Sequence, residues 1–259
     1  GDMCVKKILE WLGGKPPVVV KGDKVLLSFA INDYPGSAND LNGCINDQLN
    51  LEKTLKKLWP EFEVRKFKNS EVTCKAFKDN VSEALKQKGD TVILIMDCCF
   101  SEDNTRGLTR NRFIKPAGLK RVKIHRRLAR STDMKWIAFS ACQDYQTAAD
   151  AYISGTYNGA FSYYACKSLK PELTYKDWHF VTKSLLVGNY EQIPEIQGPD
   201  ELLNKKVFSD RTLVIHYSGH GTFTPDVSGD EADGQDEAMY LHDGIFLDDN
   251  LSNLLTVIS

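Results

Sequence analysis

Residues 91–101, TVILIMDCCFS, set the frame of this chain: an apolar run from Thr91 to Met96, then Asp97-Cys98-Cys99 and a polar exit. A continuous apolar run of strand length describes a strand covered on both faces. Residues 212–221, TLVIHYSGHG, repeat the plan, with Thr212–Tyr217 leading into Ser218-Gly219-His220-Gly221. In open α/β sheets, ligands bind beyond the carboxyl ends of the strands. If these two strands are neighbours, a thiol and an imidazole meet at that edge, and the thiol gains the base its ionisation needs. The glycines flanking His220 let the backbone approach a substrate closely.

Moving outward, Lys24–Asn32 and Trp136–Ala141 are further buried strands, and Glu61–Lys68 alternates like a more exposed one. Asp33-Tyr34-Pro35-Gly36 marks a turn. Ile45, Leu49, Leu51, Leu55 and Leu58 keep a helical period, and helices are also expected at Ser70–Leu85, Ala160–Leu169 and Asp177–Gly188. Residues 3–14 read as a short amphipathic helix within a leader, 1–23. Strands alternating with helices predict an α/β layered fold around a mainly parallel sheet, a single domain over 24–259. The basic stretch 103–133 and the acidic stretch 224–250 read as loops.

With 259 residues, 42% hydrophobic and 26% charged, the chain can build one large α/β domain or two small ones, and its composition does not suggest disorder. No run of about 18 apolar residues occurs, which excludes a spanning helix of that kind, and no secretory h-region follows Gly1-Asp2-Met3. Seven cysteines, an odd number that includes the adjacent Cys98 and Cys99, argue against a disulfide framework and for a cytoplasmic location. The net charge of −2 hides a segregation: Arg106–Arg130 carries ten Lys/Arg and no acid, whereas Thr212–Ser259 carries nine Asp/Glu and no Lys or Arg.

Asp97-Cys98-Cys99-Phe100-Ser101 and His216-Tyr217-Ser218-Gly219-His220-Gly221 resemble the cysteine and histidine motifs of metacaspases, the caspase-like cysteine peptidases. Residues 41–47, 140–144, 159–161 and 229–237 resemble further segments of that family. The resemblance implies a caspase-like sandwich, with helices on both faces of the sheet. It also implies Cys99 as nucleophile and His220 as general base, Cys98 taking the family's variable place. The amides of Gly221 and Cys99 are candidate oxyanion donors. Phe100 and Glu102 stand where a histidine and a glycine are usual. The order of segments also departs from the family: moving residues 210–259 between Lys88 and Gly89 would restore it.

The same resemblance points to Asp47, Asp97 and Ser218 as walls of the first specificity pocket, and two carboxylates there favour an Arg or Lys side chain. The partners expected are therefore protein or peptide substrates with Arg or Lys before the cleaved bond, the chain itself being a monomer away from membranes. Family calcium ligands match Asp236, Asp248 and Asp249, with Asp103 as a further candidate, so Ca²⁺ is the expected cofactor. Residues 106–130 occupy the place of the family's processing linker. Self-cleavage of a zymogen is expected there after Arg106, Arg110, Arg112, Lys115, Lys120, Arg121, Lys123, Arg126, Arg127 or Arg130. Two competing readings remain at this level. One is a silent caspase-like scaffold, suggested by the residues after Cys99. The other is a nucleic-acid-binding module built on the basic block. It is disfavoured because only Phe113 offers a stacking ring there and the acidic stretch would repel phosphate.

Overall fold

The computed structural model describes residues 22–87, 89–99, 110–118, 134–143, 146–226 and 235–256. Its centre is a six-stranded sheet in the order β2-β1-β9-β3-β5-β8. The strands are β1 (Lys24–Ala30), β2 (Glu63–Lys68), β3 (Thr91–Asp97), β5 (Ile137–Ser140), β8 (Glu195–Gln197) and β9 (Thr212–Ser218). Only β8, at one edge, runs antiparallel to its neighbour. Alternate side chains of the central strands enter opposite cores. Leu27, Phe29, Leu94, Met96, Ile215 and Tyr217 enter one, whereas Leu26, Ile93, Ile95 and Val214 enter the other. This two-sided burial is why those segments read as unbroken apolar runs.

Helices α1 (Cys44–Leu58), α3 (Ala160–Ser168) and α4 (Tyr175–Val187) supply Leu51, Leu55, Phe161, Ala165, Trp178 and Leu186 to the second core. Helix α2 (Cys74–Lys86), opened by the Thr73 cap, supplies Phe77, Val81 and Leu85 to the first. A short helix, α5 (Asp200–Leu203), precedes β9, and α6 (Asp248–Thr256) closes the described chain. The α/β reading with helices on both faces therefore holds, with element ends displaced by a few residues.

Although it comes late in the chain, β9 pairs in parallel with both β1 and β3, Ser218 standing opposite Ala30 and Asp97. The amides of Asp90 and Thr91 donate to the Arg211 carbonyl at 2.8 and 3.1 Å, so the starts of β3 and β9 lie side by side. The histidine segment thus fills the sheet position between the first strand and the cysteine strand.

Two features differ from the sequence reading. The acidic stretch is not a loop throughout, because β10 (His220–Pro225), β11 (Gln235–Leu241) and β12 (Gly244–Leu247) form an antiparallel sheet. Ala238, Met239, Leu241 and Phe246 are buried there, and apolar burial outweighs the local excess of charge. A third small sheet joins β4 (Arg110–Asn111), β6 (Ala149–Ile153) and β7 (Thr156–Gly159), the last two forming a hairpin through Ser154-Gly155. Both turn residues have positive φ, 54° and 91°, as a two-residue hairpin turn of this hand requires.

Among the described residues, no helix is long and apolar enough to cross a membrane. The six cysteines described are free. The amphipathic helix read at 3–14, Phe100, Glu102, Asp103, Arg106 and all basic candidates from Lys120 to Arg130 lie outside the described residues.

Candidate active site

At the carboxyl ends of β3 and β9, Cys98 and Cys99 separate onto opposite sides: Cys98 packs in the first core and Cys99 in the second. Burial pushes the Cys98 thiol well above its ordinary range. The Cys99 sulfur accepts from the Ala148 amide and faces the Ala148 carbonyl at 3.5 Å.

His220 is held by three contacts. Its amide donates to the Tyr34 hydroxyl at 2.7 Å, its ring lies 4.8 Å from the Tyr34 ring, and its Nε2 lies 2.7 Å from the Asn39 carbonyl. A carbonyl only accepts, so Nε2 carries the hydrogen and Nδ1 keeps the free lone pair. That Nδ1 is buried with no hydrogen-bond partner. Burial lowers the His220 pKa to about 4, against the opposing pull of the Asn39 carbonyl, so the ring is a neutral base at neutral pH. The nearby His216 differs: it is fully buried 2.8 Å from the Ser28 hydroxyl, in a purely internal contact.

The segment Arg110–Pro116 runs directly through this edge. The Arg112 amide donates to the Ala148 carbonyl at 3.2 Å. Its own carbonyl accepts from the Cys99 amide at 3.1 Å and from the Gly221 amide at 2.9 Å. Two amides on one carbonyl oxygen are the arrangement that stabilises an oxyanion. Gly221 has to be glycine, since a Cβ there would lie 1.8 Å from the Cys99 carbonyl oxygen.

The Arg112 side chain is fully buried beside three aspartates. Its guanidinium reaches Asp47 at 2.7 Å, Asp150 at 3.0 Å and Asp97 at 3.2 Å, and donates to the Ser218 hydroxyl at 2.7 Å. Asp47 and Asp97 also accept from Gly159 and Ser162, amides at the N-terminus of α3, where the helix dipole favours negative charge. Gly159 again has no room for a side chain: a Cβ would sit 2.2 Å from Asp97 Oδ2. Burial outweighs the Arg112 charge at Asp47 and pushes its pKa up to about 7, Asp97 adding to the rise.

Asp47, Asp97, Ser218, Cys99, His220 and Gly221 thus all lie at the carboxyl-end edge, but the Cys99 sulfur is engaged with Ala148 and is not hydrogen-bonded to His220, whose Nδ1 stays unpartnered. Of the described basic candidates, Arg112 lies among Asp47, Asp97 and Asp150, whereas Arg110 reaches the Asp40 carbonyl and Lys115 is exposed. Asp150 was missed. It accepts from the amides of Asn42 and Gly43, both at 2.9 Å, as well as from Arg112, and nothing in its sequence neighbourhood distinguishes it.

The calcium candidates lie elsewhere, Asp236 on β11 and Asp248 and Asp249 at the start of α6. Burial, then the charges of Asp249 and Asp236, push the Asp248 carboxyl up to about 6. They offer the hard oxygen donors that suit Ca²⁺. Among the described residues, no three ligand-type side chains already form a metal cage.

A family model described as a caspase domain matches residues 23–94 and 70–203. Metacaspase-1 of Cryptococcus neoformans var. neoformans serotype D is 48% identical over 48 residues, covering 17% of this chain and 10% of that protein. Metacaspase-1B of Aspergillus clavatus is 46% identical over 48 residues, covering 17% and 12%. The match therefore spans about a tenth of the length of these curated relatives. Among solved structures, protein GSU0716 from Geobacter sulfurreducens is similar in fold, with a TM-score of 0.51 at 14% identity, over 72% of this chain and 99% of that one.

Proposed function

Because the chain belongs to the caspase domain family, we propose that it is a cysteine endopeptidase that cleaves after Arg or Lys and processes itself at the Arg112–Phe113 bond. The observation that carries this reading is the lie of Arg112. Its guanidinium sits among Asp47, Asp97 and Asp150 while its carbonyl oxygen takes the Cys99 and Gly221 amides. A cationic side chain is buried where carboxylates answer it, and the carbonyl of the same residue accepts from the amide of Cys99, the proposed nucleophile.

The chemistry follows from these groups. Once the Cys99 thiol turns from Ala148 toward the unpartnered His220 Nδ1, the ring takes its proton and the sulfur adds to the Arg112 carbonyl carbon. The resulting oxyanion keeps the two amide donors. Collapse breaks the bond to the Phe113 nitrogen, which receives the proton from His220 and leaves as a new N-terminus. Water, deprotonated by the same ring, then releases the Arg112 carboxylate from the thioester and restores the thiol. The same pocket, once Arg112 has withdrawn, accepts Arg or Lys of other chains. Lys binds less well, since a single ammonium cannot match the guanidinium fork.

Calcium would be held by Asp236, Asp248 and Asp249, and its contribution is to offset their mutual repulsion and order the β10–β12 sheet that carries His220 and Gly221. The test is a set of fluorogenic peptides ending in Arg, Lys or Asp, assayed with and without millimolar Ca²⁺ beside a Cys99→Ala control. Turnover of Arg and Lys peptides alone, lost in the control, supports the reading. Turnover of Asp peptides, or none of any kind, overturns it.

A further inference from the structure

The residues that follow Arg112 are held as specifically as Arg112 itself. Phe113 pairs in parallel with Gly221, and the Ile114 amide donates to the Gly221 carbonyl at 2.9 Å. The Thr222 hydroxyl donates to the Ile114 carbonyl at 2.8 Å. The Phe113 ring stacks on Phe223, with centroids 6.0 Å apart and planes 14° from parallel. Gly221, Thr222 and Phe223 all belong to β10, the strand that begins with His220. One strand therefore carries the base and an oxyanion donor and also touches the chain on the leaving side of the bond.

Resting on the endopeptidase reading, we propose that β10 is a recognition platform for the leaving side of substrates, selecting an aromatic residue immediately after the cleaved bond. Phe223 is the specificity-determining residue: it is buried, 1% exposed, beneath the ring it meets, so it offers a fixed apolar face. A ring laid on that face gains both apolar burial and aromatic stacking. The following residue is held by main-chain bonds to the Gly221 carbonyl and the Thr222 hydroxyl, which any residue with an amide hydrogen can make. The preferred substrate is thus a peptide of the form Arg-aromatic-any, which Arg112-Phe113-Ile114 exemplifies within the chain. A carboxylate after the bond is disfavoured, since it would lose hydration against the apolar Phe223 ring.

The test uses internally quenched peptides identical except after the cleaved Arg, where Phe, Leu, Gly or Asp stands, with the unmodified Ca²⁺-treated enzyme. Expected is a kcat/KM for Phe about tenfold above Gly, Leu between them and Asp lowest. In Phe223→Ala the Phe-to-Gly ratio should fall toward one, and Phe223→Leu, which keeps the apolar volume, should hold part of it. Equal cleavage of all four peptides by the unmodified enzyme overturns the platform while leaving the Arg-directed endopeptidase standing. Cleavage of none overturns the endopeptidase reading on which it rests.

Discussion

Two trios of aspartates show how differently this fold treats carboxylates. Asp47, Asp97 and Asp150 come from α1, β3 and β6 and close around the Arg112 guanidinium, each within 3.2 Å. Asp236, Asp248 and Asp249 stand on β11 and at the start of α6, close enough to raise the Asp248 pKa yet not arranged as a cage. The first trio has its cation supplied by the chain. In our reading, the second receives one from solution. The contrast teaches that local charge excess does not define a binding site. What matters is whether several elements bring the carboxylates to one point, and whether amides such as those of Gly159 and Ser162 hold them there.

The sharpest break in that contrast is removal of Cys99, the nucleophile proposed beside the first trio. Cys99→Ala should lower kcat on Arg peptides by at least about 10³-fold, whereas Cys98→Ala should stay active, as measured by peptide turnover at equal folded protein. Activity surviving in Cys99→Ala would detach the pocket from the chemistry. The next effect is on stability. Arg112→Ala leaves three buried carboxylates without their cation and should cost about 3–5 kcal/mol, read from the midpoint of urea unfolding. Arg112→Lys should cost less. An equally stable Arg112→Ala would mean the trio does not depend on its internal cation.

Smaller still is the effect of thinning the trio. Asp47→Asn should lower kcat/KM for Arg peptides by about 10²-fold. It should also change the pH profile. A carboxyl with a pKa of about 7 must ionise to answer a guanidinium, so kcat should rise with pH through about 7. His220, at about 4, is already neutral across that window and is not the source of the limb. In Asp47→Asn the limb should vanish, and a limb that persists would reassign it to another group. The smallest effect belongs to the second trio: Asp248→Asn with Asp249→Asn should raise the Ca²⁺ needed for half-activation by about tenfold. Unchanged activity in a chelator would remove calcium from the account.

Strands β3 and β9 were legible because two-sided burial writes itself as an apolar run, and the placing of Cys99 and His220 at one sheet edge because those runs stop just before them. The placement of Arg112, alone of the described basic candidates, among the three carboxylates was not legible. Arg110, Arg112 and Lys115 have similar sequence surroundings, and what separates them is the path of the chain past Ala148 and Gly221, a tertiary fact. Asp150 was hidden for the same reason, since its position follows from pairing with Gly159 and Arg110 across two strands. The β6–β7 hairpin does carry a sequence signal, Ser154-Gly155 between strand-like residues. In the acidic stretch, the charges of 226–237 masked the buried positions of β11 that follow them.

The most direct test of the central claim is the identity of the new N-terminus after self-processing. The purified chain would be incubated with millimolar Ca²⁺, its fragments separated and their N-termini sequenced, with Cys99→Ala in parallel. The account predicts an early fragment beginning at Phe113 and a Cys99→Ala chain that stays whole. First cuts after other residues, with the Arg112–Phe113 bond intact, would contradict it.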